Sequence, residues 1–171
     1  PEPVPKQAIT FRENGRRYRV DTCDPLKAAA ASGAVRLVAL GRGSYPGRRL
    51  RGNELEEVSS IGFWDASKEQ TWGLDWHRNE GIELAFLAAG TLPFEVDSRR
   101  FALQANDFTI TRPWQRHRVG SPFISTSRLV WLILDVGVRH PNQPWVWPPW
   151  ILLPRQRLEK LARQLRQSEQ P

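Results

Sequence analysis

The chain has no methionine and a single cysteine, Cys23, among its 171 residues. One cysteine cannot close an internal disulfide and supplies no thiolate cluster for a metal. No apolar run reaches the ~18 residues that a membrane span requires. The longest, residues 129–138, has the length of a strand and is broken by Asp135. The N-terminus is polar and Pro-rich, so no signal peptide is expected. A cytoplasmic setting without membrane contact fits this reading. Without a methionine, residue 1 is not expected to be a natural start. Histidine is scarce too, at positions 77, 117 and 140 only. No serine stands in a Gly-x-Ser-x-Gly setting and Cys23 has no adjacent histidine, which argues against a nucleophilic enzyme. Glu80 and Glu83 are three apart and would face opposite sides of a strand, so they do not make a glycosidase pair.

What is present is ordinary globular composition, 40% hydrophobic and 25% charged, enough for one domain with a core. The net charge of +7 is uneven. Residues 1–57 carry eleven basic and seven acidic side chains, residues 58–154 nine of each, and residues 155–171 five and two. A neutral middle argues against a nucleic-acid surface there. Asn14-Gly15 between two short alternating segments predicts a hairpin. Pro25 to Ser32, with Gly33 behind it, predicts a short helix, and Val35 to Leu40 a strand. Residues 41–57 are Gly- and Arg-rich and form a long loop, the kind that is either functional or mobile. They lack the Lys-Ser/Thr ending of a phosphate loop.

From Ser59 to Val138 short β-branched and aromatic segments alternate with Gly, Asp, Asn and Pro, predicting a small sandwich or barrel. Five prolines in residues 141–154 forbid regular structure there, and Trp145, Trp147 and Trp150 are expected to clamp the segment on the barrel. Beyond Pro154, Leu158, Leu161 and Leu165 form a helical stripe that needs a partner surface.

The motif richest in chemistry is His77-x-Asn79-x-x-x-Glu83, six residues, Gly90, a hairpin, Asp107, and then Pro113-x-x-x-His117. This pattern resembles the two motifs of the cupin family at His77, Glu83, Gly90, Asp107, Pro113 and His117. It departs at Asn79, where the family has a second histidine, and at Ala105-Asn106, where Pro-Gly is usual. More narrowly, Ile61 through Trp147 resembles the sensor domain of AraC-type transcription regulators, above all in residues 77–84, 90–94, 107–117 and 131–138.

The resemblance implies a mainly β fold: a cupin-like double-stranded β-helix barrel with an N-terminal extension and a C-terminal helix. The expected division is an extension over 1–57, the barrel and its Trp/Pro clamp over 58–154, and the start of a dimerisation and linker helix over 155–171. The implied role is effector sensing without catalysis. A small molecule in the barrel mouth would control DNA-binding helix-turn-helix units further along a longer protein, and DNA would be met only through them. The expected ligand-binding residues are His77, Asn79, Glu83, Trp76, Trp114, His117 and Arg112. No cofactor is expected. Were a divalent metal bound, His77, Glu83 and His117 would be its ligand set. A homodimer through the leucine stripe is the expected relay. The rival readings are a metal-dependent cupin enzyme, a dioxygenase or isomerase, and a carbohydrate-binding module.

Overall fold

The computed structural model describes residues 10–13, 15–20, 22–140 and 143–167. A hairpin of β1 (Thr10–Glu13) and β2 (Arg16–Arg19) turns at Gly15, whose φ of 75° suits the glycine of an Asn-Gly turn. Helix α1 (Asp24–Ala31) follows, with Pro25 in its first turn and Gly33 beyond its end, and it buries Leu26 and Ala29. These are the helix start and stop that the sequence prescribes.

The body is one curled nine-stranded sheet. Its first half runs β3 (Arg36–Gly41), β5 (Val58–Ala66), β11 (Ser127–Leu134), β7 (Ile82–Val96) and β9 (Phe108–Thr111), with the two-residue β4 (Arg48–Arg49) beside β3. Residues 36–41, from the segment read as an N-terminal extension, thus add a strand to the main sheet. The second half holds β8 (Arg99–Gln104), β10 (His117–Val119), β6 (Leu74–His77) and the far end of β7.

Strand β7 belongs to both halves. Residues 82–90 pair with β11 and residues 91–96 with β8. It bends where an extra residue, Ala88, interrupts the register and Gly90 takes φ 78°. A Cβ on Gly90 would collide with the carbonyl oxygen of Thr126. The bend therefore needs glycine for two reasons, backbone angle and close approach.

Trp64, Leu87, Leu92, Leu129, Trp131 and Ile133 lie between the two halves and form the centre of the core. Each indole donates to a hydroxyl, Trp131 Nε1 to Ser60 Oγ at 3.0 Å and Trp64 Nε1 to Ser127 Oγ at 3.4 Å, so neither brings an unpaired donor into the interior.

Residues 143–154 have no helix or strand, as their prolines require. Trp145 and Trp147 pack against the core, whereas Trp150 stays half exposed and donates to Glu57 Oε2 at 2.9 Å. Helix α2 (Arg155–Gln167) leans on this segment, with the Arg166 guanidinium 5.3 Å from the Trp145 ring centre. Leu158, Leu161 and Leu165 face that side but none is fully buried. Among the described residues no helix is long and apolar enough to cross a membrane.

Gly90→Ala is expected to lower the unfolding free energy by about 2 kcal/mol or more, from left-handed strain alone about 1–2 kcal/mol with the Thr126 contact added. Urea denaturation checks this, and a midpoint equal to wild type would refute the bend as described.

Candidate functional site

Three strands bring the sequence motif together. His77 ends β6, His117 opens β10, and the two are direct partners in the sheet. Glu83 lies on β7, opposite Ile133 and Thr111, on the inward face that also carries Ala85 and Leu87. The imidazole centres of His77 and His117 are 4.2 Å apart, edge to face. One ligand atom from each of His77, Glu83 and His117 lies within 4.8 Å of the others.

The hydrogen bonds fix the state of these rings. Nδ1 of His77 lies 2.6 Å from the Asp75 carbonyl oxygen, and Nδ1 of His117 lies 3.0 Å from that of Gln115. A carbonyl only accepts, so both Nδ1 atoms carry hydrogen. In a neutral ring the lone pair then sits on Nε2. Yet Nε2 of His117 is 2.9 Å from Glu83 Oε2, which is also an acceptor. Either a proton or a metal cation must lie between them.

Glu83 suits either. Burial pushes its carboxyl up. The hydrogen bond and charge of His117, the charge of His77 and the Asn79 amide outweigh that and hold it below the ordinary carboxylate range. It is an anion at neutral pH, with 14% of its side chain exposed, against an imidazole 1% exposed.

Asn79 explains the departure from the two-histidine pattern. Its Nδ2 donates to Glu83 Oε2 at 2.6 Å, and its Oδ1 accepts from the Tyr45 hydroxyl at 3.2 Å. Its amide oxygen is thus turned to Tyr45, while its nitrogen orients the carboxylate. The single Tyr45 hydroxyl hydrogen is shared with Glu80 Oε2, the nearer acceptor at 2.8 Å, and Ser59 Oγ donates to Glu80 Oε1 at 3.1 Å. Burial, then the charge and hydrogen bond of Glu80, raise the Tyr45 hydroxyl well above its ordinary value, so it remains a proton donor. Tyr45, Asn79, Glu80 and Ser59 are all buried. Together they form a braced polar layer beside the histidines.

A cavity of about 30 Å³ opens at His77, Asn79 and Glu83. Its remaining walls are mostly apolar: Leu26 of α1, Pro46, Trp64, Leu74, Leu129 and Trp131 among them. That space holds about two waters. Helix α1 and the Tyr45–Pro46 turn form part of its wall.

The other expected ligand residues lie apart from the cavity wall. Trp114 is buried, takes φ 64°, and its backbone N–H donates to the Asn79 carbonyl at 2.7 Å, holding the residue next to the site from behind. Trp76 is covered by the guanidinium groups of Arg116 and Arg118, 4.0 and 4.8 Å from its ring centre. Arg112 follows β9, and its backbone N–H donates to Gln115 Oε1. Sequence reasoning missed Tyr45, Glu80 and Ser59. The available signal for Tyr45 was its position in the long 41–57 loop, as one of only two tyrosines.

Residues 67–133 match the family model described as a cupin domain. The chain folds as a cupin. Solved structures similar to this chain include a cupin superfamily protein from Desulfitobacterium hafniense DCB-2, at 13% identity over 59% of this chain and 77% of that one, TM-score 0.44. Others are a predicted oxalate decarboxylase from Thermotoga maritima, at 14% over 50% and 75%, TM-score 0.43, and KdgF from Halomonas sp., at 11% over 44% and 67%, TM-score 0.38. No curated protein matches this chain. At such identities the likeness concerns the fold alone. The expectation of a domain without catalysis is nevertheless corrected. Proteins similar in fold include one described as a predicted oxalate decarboxylase, so sharing this fold gives no ground for excluding an enzyme.

Tyr45→Phe is expected to cost about 1–3 kcal/mol, because the buried Glu80 and Asn79 oxygens lose the one hydroxyl hydrogen they share. A thermal melt followed by circular dichroism reads this out, and an unchanged midpoint would remove Tyr45 from the brace.

Proposed function

We propose that this cupin is a metal-dependent enzyme of the dioxygenase or isomerase kind, acting on a small oxygen-bearing molecule beside His77, Glu83 and His117. The observation that carries the reading is the contact between His117 Nε2 and Glu83 Oε2, which needs a positive charge between two lone pairs. Two imidazoles and one carboxylate form a donor set suited to iron, manganese, zinc or nickel. His77 and His117 would offer Nε2, and Glu83 its carboxylate. When bound, the cation would polarise an oxygen of the substrate as a Lewis acid.

The chain's own residues do the rest. The Asp75 and Gln115 carbonyls hold both rings in one tautomer and orientation. Asn79 fixes the carboxylate, and Tyr45 fixes Asn79. Leu26, Leu74, Leu129 and Trp131 give the site apolar walls, and a less polar surrounding strengthens the polar interactions beside it.

A second reading keeps the barrel as the effector-binding domain of an AraC-type regulator. It is favoured by the leucine stripe of α2, which is only partly covered. In that case DNA contact would belong to further chain, and the small molecule would be bound without turnover.

Elemental analysis and calorimetric titration separate the cases. About one equivalent of a divalent transition metal per chain is expected, with affinity lowered about 100-fold or more in His117→Ala, and by about 10–100-fold in Asn79→Ala, which loses only the brace. A wild-type chain that takes up no metal on titration would end the enzyme reading.

A further inference from the structure

The Trp/Pro segment and helix α2 enclose a second concavity, a groove of about 330 Å³. Ligand pockets run from about 300 to 1,000 Å³, so this one suits a ligand of one or two rings. It shares no lining residue with the cavity at His77, Asn79 and Glu83. One wall is aromatic. Trp145 and Trp147 stand two residues apart, and their rings meet edge to face with centres 5.8 Å apart. Between them the Val146 N–H donates to the Val136 carbonyl at 2.8 Å. Pro144, Pro148 and Pro149 restrict the backbone on either side. The wall is therefore in place before anything binds, which keeps the ordering cost of binding low.

The opposite wall is one face of α2. Leu158 and Ala162, one turn apart, give it an apolar strip. Arg155, Glu159, Arg163 and Arg166 stand along that strip, so three guanidinium groups face one carboxylate. Arg155 Nε is 2.8 Å from Glu159 Oε1, and this pair cancels. The Arg166 guanidinium sits 5.3 Å from the Trp145 ring centre and its Nη2 donates to the Gln143 carbonyl at 3.3 Å. It thus keeps its charge and holds a fixed place at the groove. The Arg163 guanidinium has no ion pair or hydrogen bond among the described residues. Uncommitted arginines are common on solvated helix faces. This one is set apart by the two indoles across the groove from it.

We infer that this groove binds a small aromatic carboxylate, with its ring against Trp145 and Trp147 and its anion on Arg163 beside Arg166. Charge complementarity selects the anion. Once Arg155 and Glu159 cancel, two positive charges remain at the groove. A guanidinium presents paired N–H donors that match the two oxygens of a carboxylate. The indole pair selects the ring, because aromatic rings gain from edge or offset contact beyond the area they cover. A bare inorganic anion would leave the indoles uncovered, and a neutral ring would leave the two charges unanswered. The site stands whether or not His77, Glu83 and His117 hold a cation, since it has no residue in common with them.

Calorimetric titration of the full chain with 1-naphthoate tests it, and saturable binding is expected. Arg163→Gln is expected to weaken that binding by about 10–100-fold, the loss of a hydrogen-bonded charge. Arg163 is exposed and glutamine is as good a helix former, so the far-UV spectrum should not change. Naphthalene-1-methanol keeps the rings and lacks the charge, and cyclohexanecarboxylate keeps the charge and lacks the aromatic ring. Each is expected to bind about 10-fold more weakly or worse. Arg157→Gln changes an exposed arginine of α2 outside the groove and is expected to bind as wild type. Four results would each overturn the inference: no naphthoate binding at millimolar concentration, wild-type affinity in Arg163→Gln, an equal loss in Arg157→Gln, or either analogue binding as tightly as naphthoate.

Discussion

A carboxylate and an imidazole 2.9 Å apart inside an apolar barrel are the constraint on which the rest of the site depends. Placing ionisable groups there costs several kcal/mol per charge before compensation. The chain compensates by saturating their hydrogen bonds. Both histidines spend Nδ1 on backbone carbonyls two residues upstream, so each strand orients its own ring. Glu83 receives the Asn79 amide, Asn79 receives the Tyr45 hydroxyl, and that hydroxyl is itself held between Asn79 and Glu80. A chain of donors thus runs from a loop outside the His77–His117 motif to the carboxylate at its centre.

That chain gives Asn79 a physical role. A third imidazole at this position would bring one more ligand and a ring that titrates near neutral pH. An amide brings a fixed donor and a fixed acceptor at every pH. The donor is directed at Glu83 and the acceptor at Tyr45. The position acts on the site through Glu83, and the site keeps two histidines and one carboxylate as its donor set.

The parts legible in the sequence were those set by local pattern. The spacing of His77, Glu83 and His117 names three residues that the fold does bring together. Turn residues and β-branched segments give the strands, and Pro25 and Gly33 bracket α1. The brace was not legible, because Tyr45, Ser59 and the Asn79–Glu80 pair lie on three separate parts of the chain that only the closed fold brings together. Trp114 and Trp76 were legible as aromatic neighbours of the histidines, but not their orientation. One serves the site through its backbone N–H and the other is covered by two arginines.

Glu83 points into the barrel, while Leu84 and Phe86 on the same strand point out. Strand β7 is bonded to β11 and β9 on its two edges, so the carboxylate stands on the most cross-linked part of the sheet. His77 lies instead on a four-residue strand at the end of the sheet, and its pairing with β10 is irregular. The carboxylate is thus held by pairing along both edges of its strand, whereas His77 relies on one short pairing at the end of the sheet.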